Sequence, residues 1–223
     1  MSFDRNRLSE IVASIDPYAG GNRGDSVNVN GLTKIKARTA AEVCRLFLPT
    51  EEASQLLRED TSSVEFLELL LENQLYPDAV AFLAQALPNR EATWWACLCA
   101  RHTLGEAPEA KVMQCLSSAE QWVYEPTDEH RRNAMIAAEA SGLDSPSAWA
   151  AVAAFWSEGS MAPTDAPAVP PGQDLNGRAV AGAVMLAAVQ NQPERAQDHY
   201  RKFFEQGLDV ARGGSGNPSA TKR

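Results

Sequence analysis

Apolar residues recur along this chain at spacings of three and four, and most such runs are bounded by a proline, a glycine or a capping residue. Ala40, Val43, Cys44 and Phe47 share one helix face, and Thr39 with Glu42 three residues on reads as a capping box that opens the ordered body. A short helix capped by Thr50 follows over residues 51–58. Ser62 with Glu65 opens the next, with Phe66, Leu69 and Leu70 as its stripe and Leu67 and Leu71 beside it. Pro77 and Asp78 start a fourth run, in which Val80, Leu83 and Leu87 face inward. Pro88 then restarts the chain with almost no loop, so the two flanking helices are either antiparallel neighbours or a kinked pair.

The segment LPNREATWWACLCAR, residues 87–101, is apolar on almost every side and carries adjacent Trp94 and Trp95. A helix apolar all round is a buried one, so this segment is expected to be the rod the others surround. Beyond it, Val112, Cys115, Leu116, Ala119 and Val123 form the next apolar face, flanked by Trp122. Thr127 caps a helix whose small-residue face is Ala134, Ala137, Ala138 and Ser141, closed by Gly142 as a left-handed C-cap. Ser145 and Pro146 open a run with Trp149, Val152, Ala153 and Trp156 at i, i+3, i+4, i+7 spacing. Residues 160–173, SMAPTDAPAVPPGQ, contain four prolines and read as a semi-rigid extended connector, a length typical of lids and binding loops. Asp174 or Asn176 opens a helix rich in Ala and Gly. Pro193 opens the last, in which Ala196, Tyr200, Phe203, Phe204 and Gly207 face a neighbour.

The helix openings at Pro88, Pro108, Thr127 and Pro146 lie 20, 19 and 19 residues apart. Pairs of helices repeating about every forty residues are the mark of stacked α-hairpins. The pattern predicts an all-α fold: a repeat-like bundle of about eight to nine helices stacked as α-hairpins around a Trp-bearing central helix. It forms one domain over residues 39–212. Gly20, Gly21, Gly24 and Gly31 make residues 1–38 a mostly disordered tail, with at most a helical turn over 9–15, and residues 213–223 a second disordered tail.

Charge narrows the functional classes. The 223-residue chain has a net charge of -9, and residues 39–160 hold 7 Lys and Arg against 19 Asp and Glu. An acidic body lacks the basic footprint of a nucleic-acid binder and is repelled by anionic lipid. The longest apolar run, residues 179–189, is too short to span a bilayer, and the N-terminus has no apolar signal region. Four cysteines inside helical patterns read as buried reduced thiols, which places the protein in the cytoplasm. Oligomeric state is left open.

Candidate chemistry is sparse. Glu65, Glu68 and Glu72 lie along one helix edge, where a solvated face is expected and not a cation site. Cys97 and Cys99 point about 200° apart on a helix and cannot share an ion; Cys99 and His102 share a face but lack further ligands. His130 sits on a polar helix face without a nucleophile. The triplet Arg23-Gly24-Asp25 is too short to carry an adhesion role. No nucleophile elbow, phosphate loop, dinucleotide fingerprint or zincin motif occurs, so no catalytic residue, metal or cofactor is assigned. What stands out is a stripe of Arg90, Trp94, Cys97 and Arg101 on one helix face. It reads either as a recognition surface, since Trp and Arg dominate binding hot spots, or as arginines packed on Trp94 or paired with an acid such as Glu91.

The segments ALPNREATWWACLCAR, SGLDSPSAWAAVAAFWSEGSMAP and LNGRAVAGAVMLAA resemble an uncharacterised bacterial all-helical domain family over residues 39–212. Such proteins are associated with type VI secretion gene clusters. The resemblance implies a cytosolic accessory role, such as an effector adaptor or chaperone, and marks Arg90, Glu91, Trp94, Trp95, Arg101 and Arg178 as recurring positions. The expected function is therefore a non-enzymatic protein-binding adaptor or chaperone whose partner is another protein, a secretion effector or component. The alternative is a small-molecule enzyme or ligand-binding protein with scattered site residues.

Overall fold

The computed structural model describes residues 28–217. Helices α1 (Ala40–Cys44), α2 (Glu51–Leu56), α3 (Ser63–Glu72), α4 (Tyr76–Ala86) and α5 (Asn89–Arg101) come first. They are followed by α6 (Ala110–Tyr124), α7 (Asp128–Ser141), α8 (Pro146–Phe155) and α9 (Leu175–Val189). A 3-10 turn (Pro193–Arg195) then leads into α10 (Ala196–Ala211). Among the described residues there is no strand, only a single bridge between Thr39 and Ser62, and the fold is the expected all-α bundle. No helix is long and apolar enough to cross a membrane among those residues.

The cap residues account for most helix starts. Thr50, Ser62, Thr127 and Ser145 each accept a hydrogen bond from the backbone N–H three residues on. Thr39 does not; its hydroxyl donates instead to Glu42 Oε1 at 3.3 Å. Asp78, buried in the first turn of α4, accepts from the N–H and the hydroxyl of Thr50, both at 2.8 Å, and so ties α2 to α4. Gly142 ends α7 at φ 99°, a left-handed backbone that glycine adopts without penalty. Leu87 and Pro88 are extended, and α4 and α5 meet chiefly at that junction, so they are a bent pair and not lengthwise neighbours.

The centre is not where the hydrophobic pattern suggests. α5 keeps an open edge at Arg90, Glu91, Trp94 and Arg101, whereas all ten residues of α8 are buried. α8 packs against α5, α6, α7 and α9 at once. Its sequence, PSAWAAVAAF, explains this. It has no charge to solvate, and its alanines let neighbouring backbones approach on every side. Asn176 at the start of α9 locks this centre, donating through Nδ2 to Thr93 Oγ1 of α5 (3.1 Å) and to the Ala153 carbonyl of α8 (2.8 Å). On the other side of α5, Trp95 fills the gap to α10, and Gly207 makes room for it. A Cβ at Gly207 would stand 2.8 Å from the indole.

Two boundaries move. The calls on residues 1–27 and 218–223, including the turn over 9–15 and Arg23-Gly24-Asp25, lie outside the described residues. Residues 28–38, however, belong to the packed body, with Val29 and Leu32 buried. The Lys34 N–H donates to the Ala211 carbonyl at 2.8 Å. The Arg212 guanidinium donates to the Asn30 carbonyl at 2.9 Å and also to that of Asn28. The physical reason is that this segment satisfies and covers the C-terminal end of α10, whose last carbonyls have no partner within the helix. Residues 213–217 likewise lie against the body, as described below.

The proline-rich connector is clasped. The Met161 N–H donates to the Val169 carbonyl at 2.8 Å, and Ser160 Oγ accepts from the N–H groups of Ala162 and Val169. Arg131 on α7, its side chain almost wholly buried, donates to the Phe155 and Ser160 carbonyls, both at 2.8 Å, and lies over the Phe155 ring. Arg132 donates to the Ala162 carbonyl at 3.0 Å. Asp128, one turn back, holds both guanidiniums.

Candidate functional site

The six residues singled out from the sequence divide between a cleft, the core and two separate ion pairs. Arg90, Glu91 and Trp94 line an open cleft of about 160 Å³ together with Lys34, Val123, Val210, Gly213 and Gly214. α5 supplies one wall and the C-terminal end of α6 a second. The end of α10 with the segment after it supplies the third.

Each charged residue of the cleft has a partner. Arg90 Nε donates to the Val123 carbonyl at 2.6 Å and its Nη2 to the Tyr124 carbonyl at 3.4 Å. Those carbonyls end α6 and have no partner within it, so Arg90 caps that helix and offsets the negative end of its dipole. Glu91 is taken by Lys34, whose ammonium lies 2.7 Å from its carboxylate. Trp94 stands against Tyr124 with ring centroids 5.9 Å apart, and its Nε1 donates to the Ser215 carbonyl at 2.8 Å. Tyr124 is 72% exposed, among the few large apolar side chains left in solvent.

The stripe read from the sequence is therefore real in part. Arg90 and Trp94 do face the end of α6. Neither arginine pairs with Glu91: Arg90 holds the end of α6, and Arg101 grips Glu120 of α6 through two hydrogen bonds of 2.7 and 2.6 Å. That contact raises the Arg101 pKa above its usual value, through the hydrogen bond first. Cys97, on the same stripe, is fully buried, and burial first and the Glu120 charge second hold its thiol well above the usual value. Burial does the same for Cys99. Thiols held protonated in this way are poor nucleophiles and poor metal ligands. No group of three or more His, Cys, Asp and Glu side chains converges among the described residues.

Trp95 is core. It is 0% exposed, donates through Nε1 to the Phe203 carbonyl at 2.8 Å and packs on Phe204. Arg178 is an exposed residue of α9, paired 2.5 Å from Asp174 four residues back, and does not line the cleft. His130, on the polar face of α7, is engaged by Gln121 and by the Glu125 carbonyl, consistent with a local structural role.

Sequence reasoning missed Lys34, Tyr124, Val210 and the 213–217 segment. Tyr124 carried a usable signal: it lies off the face made by Cys115, Leu116, Ala119 and Val123, so an aromatic ring there points to solvent. Lys34 and residues 213–217 carried none. They lie in glycine- and polar-rich stretches, and only the tertiary fold brings them to α5.

A family model described as a family of unknown function, DUF6931, matches residues 66–211, more than half of the chain. The match contains the α5, α6 and α10 walls of the cleft and leaves Lys34, Gly213 and Gly214 outside it. No curated protein and no solved structure matches.

Proposed function

The chain belongs to the DUF6931 family, and from that premise we propose that it is a non-enzymatic protein-binding adaptor or chaperone whose contact surface is the Trp94–Tyr124 rim of the cleft. The observation that carries the reading is the exposed Tyr124 ring held against Trp94, with the Arg90 guanidinium fixed beside it on the end of α6. Tyr, Trp and Arg are the residues that carry protein–protein binding energy. Here a capped helix end and an indole hydrogen bond hold them in place, so little side-chain freedom is lost on contact. The partner is a protein, of a type VI secretion effector or of that machinery; the support for this is the sequence resemblance over residues 39–212. A cytoplasmic location belongs to the same reading.

The test is capture of the partner from the native host with wild-type chain and with Tyr124→Ala. Tyr124 is exposed, so its removal should change thermal stability by no more than about 0.5 kcal/mol. Loss of a hot-spot aromatic should weaken partner binding roughly tenfold or more, measured on the purified pair. Charge reversal at Arg90 is a poorer probe, because it also uncaps α6. Reversal at Arg178 should leave both fold and partner untouched. Equal binding by wild-type and Tyr124→Ala chains would refute the surface, and turnover of a small molecule would refute the class.

A further inference from the structure

The segment following α10 does not leave the body. One peptide group in it, that between Ser215 and Gly216, is gripped at both ends. Its carbonyl accepts from Trp94 Nε1 at 2.8 Å, and its N–H donates to Asp209 Oδ2 at 2.8 Å. Asp209 is a buried carboxylate, and among the described residues no Lys or Arg forms an ion pair with it. A buried carboxylate without a cation depends on N–H donors, and this one draws a donor from a backbone that contributes no charge. Gly216 itself is buried at φ 84°, a left-handed backbone that residues with a side chain rarely adopt, and a Cβ there would displace the tip of Leu98 and touch Val210. The segment also forms the wall of the cleft at Gly213 and Gly214.

We propose that Trp94, Asp209, Leu98 and Val210 form a binding seat for an extended, glycine-bearing peptide segment, and that residues 213–217 are its intramolecular occupant. The seat reads one peptide group and rejects any side chain at the glycine position. Gly213 and Gly214 also cap α10 through the Val210 and Asp209 carbonyls, but the grip on the Ser215–Gly216 peptide uses only backbone atoms of the occupant, so a partner strand of the same chemistry fits it. The inference deepens the adaptor reading and rests on it for the identity of the competing strand. A tethered occupant competes at an effective concentration on the order of millimolar, so the tail keeps the seat closed to weak ligands and opens it to a partner that also engages Tyr124.

The experiment uses the full chain and the synthetic peptide of residues 213–223. The indole N–H resonance of Trp94, assigned with Trp94→Phe, reports occupancy. In wild type it should exchange slowly and respond at least tenfold less to added peptide than in Gly216→Leu. In Gly216→Leu the tail should be expelled, so the resonance shifts and exchanges faster, while a single cooperative melting transition shows that the body is still folded. Added wild-type peptide should restore the original shift saturably, and the same peptide carrying Leu at the glycine position should not. An unchanged resonance in Gly216→Leu overturns the proposal. So does a shifted one that peptide fails to restore, or one that both peptides restore alike. These readouts need no partner. If the peptide binds but the captured partner does not compete with it, the seat stands and the adaptor reading of this surface falls.

Discussion

At the scale of single residues, Arg131 is a buried charge with every partner in place. Its guanidinium is buried, yet it finds Asp128, the Phe155 carbonyl, the Ser160 carbonyl and the Phe155 face. Lysine is a point charge on a flexible stem and cannot reach these acceptors together. Arg131→Lys should therefore lower unfolding free energy in urea by on the order of 3 kcal/mol, the cost of leaving buried acceptors and a buried charge poorly paired. Asp128 gives a pH signature. Hydrogen bonds from Arg132 first and Arg131 second hold its carboxyl below the ordinary aspartate value of 3.8. A carboxyl depressed in the folded state contributes stability that is complete above the unfolded value and is lost as pH falls below about 4 through the folded value. Asp128→Asn should be less stable than wild type at neutral pH, with the difference narrowing as pH drops below 4, as followed by urea midpoints across that range.

At the scale of elements, two opposing effects meet at Gly207 inside α10. Glycine in a helix interior costs about 1 kcal/mol relative to alanine, so Gly207→Ala gains propensity. The new methyl group would stand within 3 Å of the Trp95 indole, which is buried and hydrogen-bonded to Phe203 and cannot swing away. Overpacking of this kind costs about 1–3 kcal/mol. We expect the clash to prevail, and Gly207→Ala to lower the thermal midpoint; a rise would mean that α10 slides on α5 without resistance. The same comparison shows what could be read in advance. Helix identity was legible because caps such as Thr50, Ser62, Thr127 and Ser145 are local chemistry, and so was the burial of Tyr200, Phe203 and Phe204. The choice of central helix was not. The adjacent tryptophans drew attention to α5, but its Arg90, Glu91 and Arg101 keep one side open, whereas α8 has no charge to solvate. The burial of Arg131 had no signal in its own neighbourhood of sequence, because burial of an arginine depends on acceptors supplied here from α8 and the connector, 24 and 29 residues further along the chain.

At the scale of the whole molecule, the site is a meeting of distant segments. Lys34, α5, the end of α6 and residues 209–216 converge on one cleft, and no window of sequence contains more than a part of it. Arg90, Glu91 and Trp94 could be picked out because they share one helix. Tyr124 and Asp209 become partners of that helix only through the path of the chain. Residues 39–160 are acidic in balance, while the cleft itself has Glu91 paired with Lys34 and Arg90 held by the Val123 carbonyl.

Asn28 and Arg212 are hydrogen-bonded neighbours, and the last described residues rest on Trp94. Whatever is joined to either end of the body therefore starts from the same pole as the cleft. An affinity handle or reporter domain joined directly to the body, at residue 28 or 217, would crowd the very surface whose binding it is meant to reveal. A label attached at an exposed interior position, such as the Gly105 turn between α5 and α6, leaves both ends in their native arrangement.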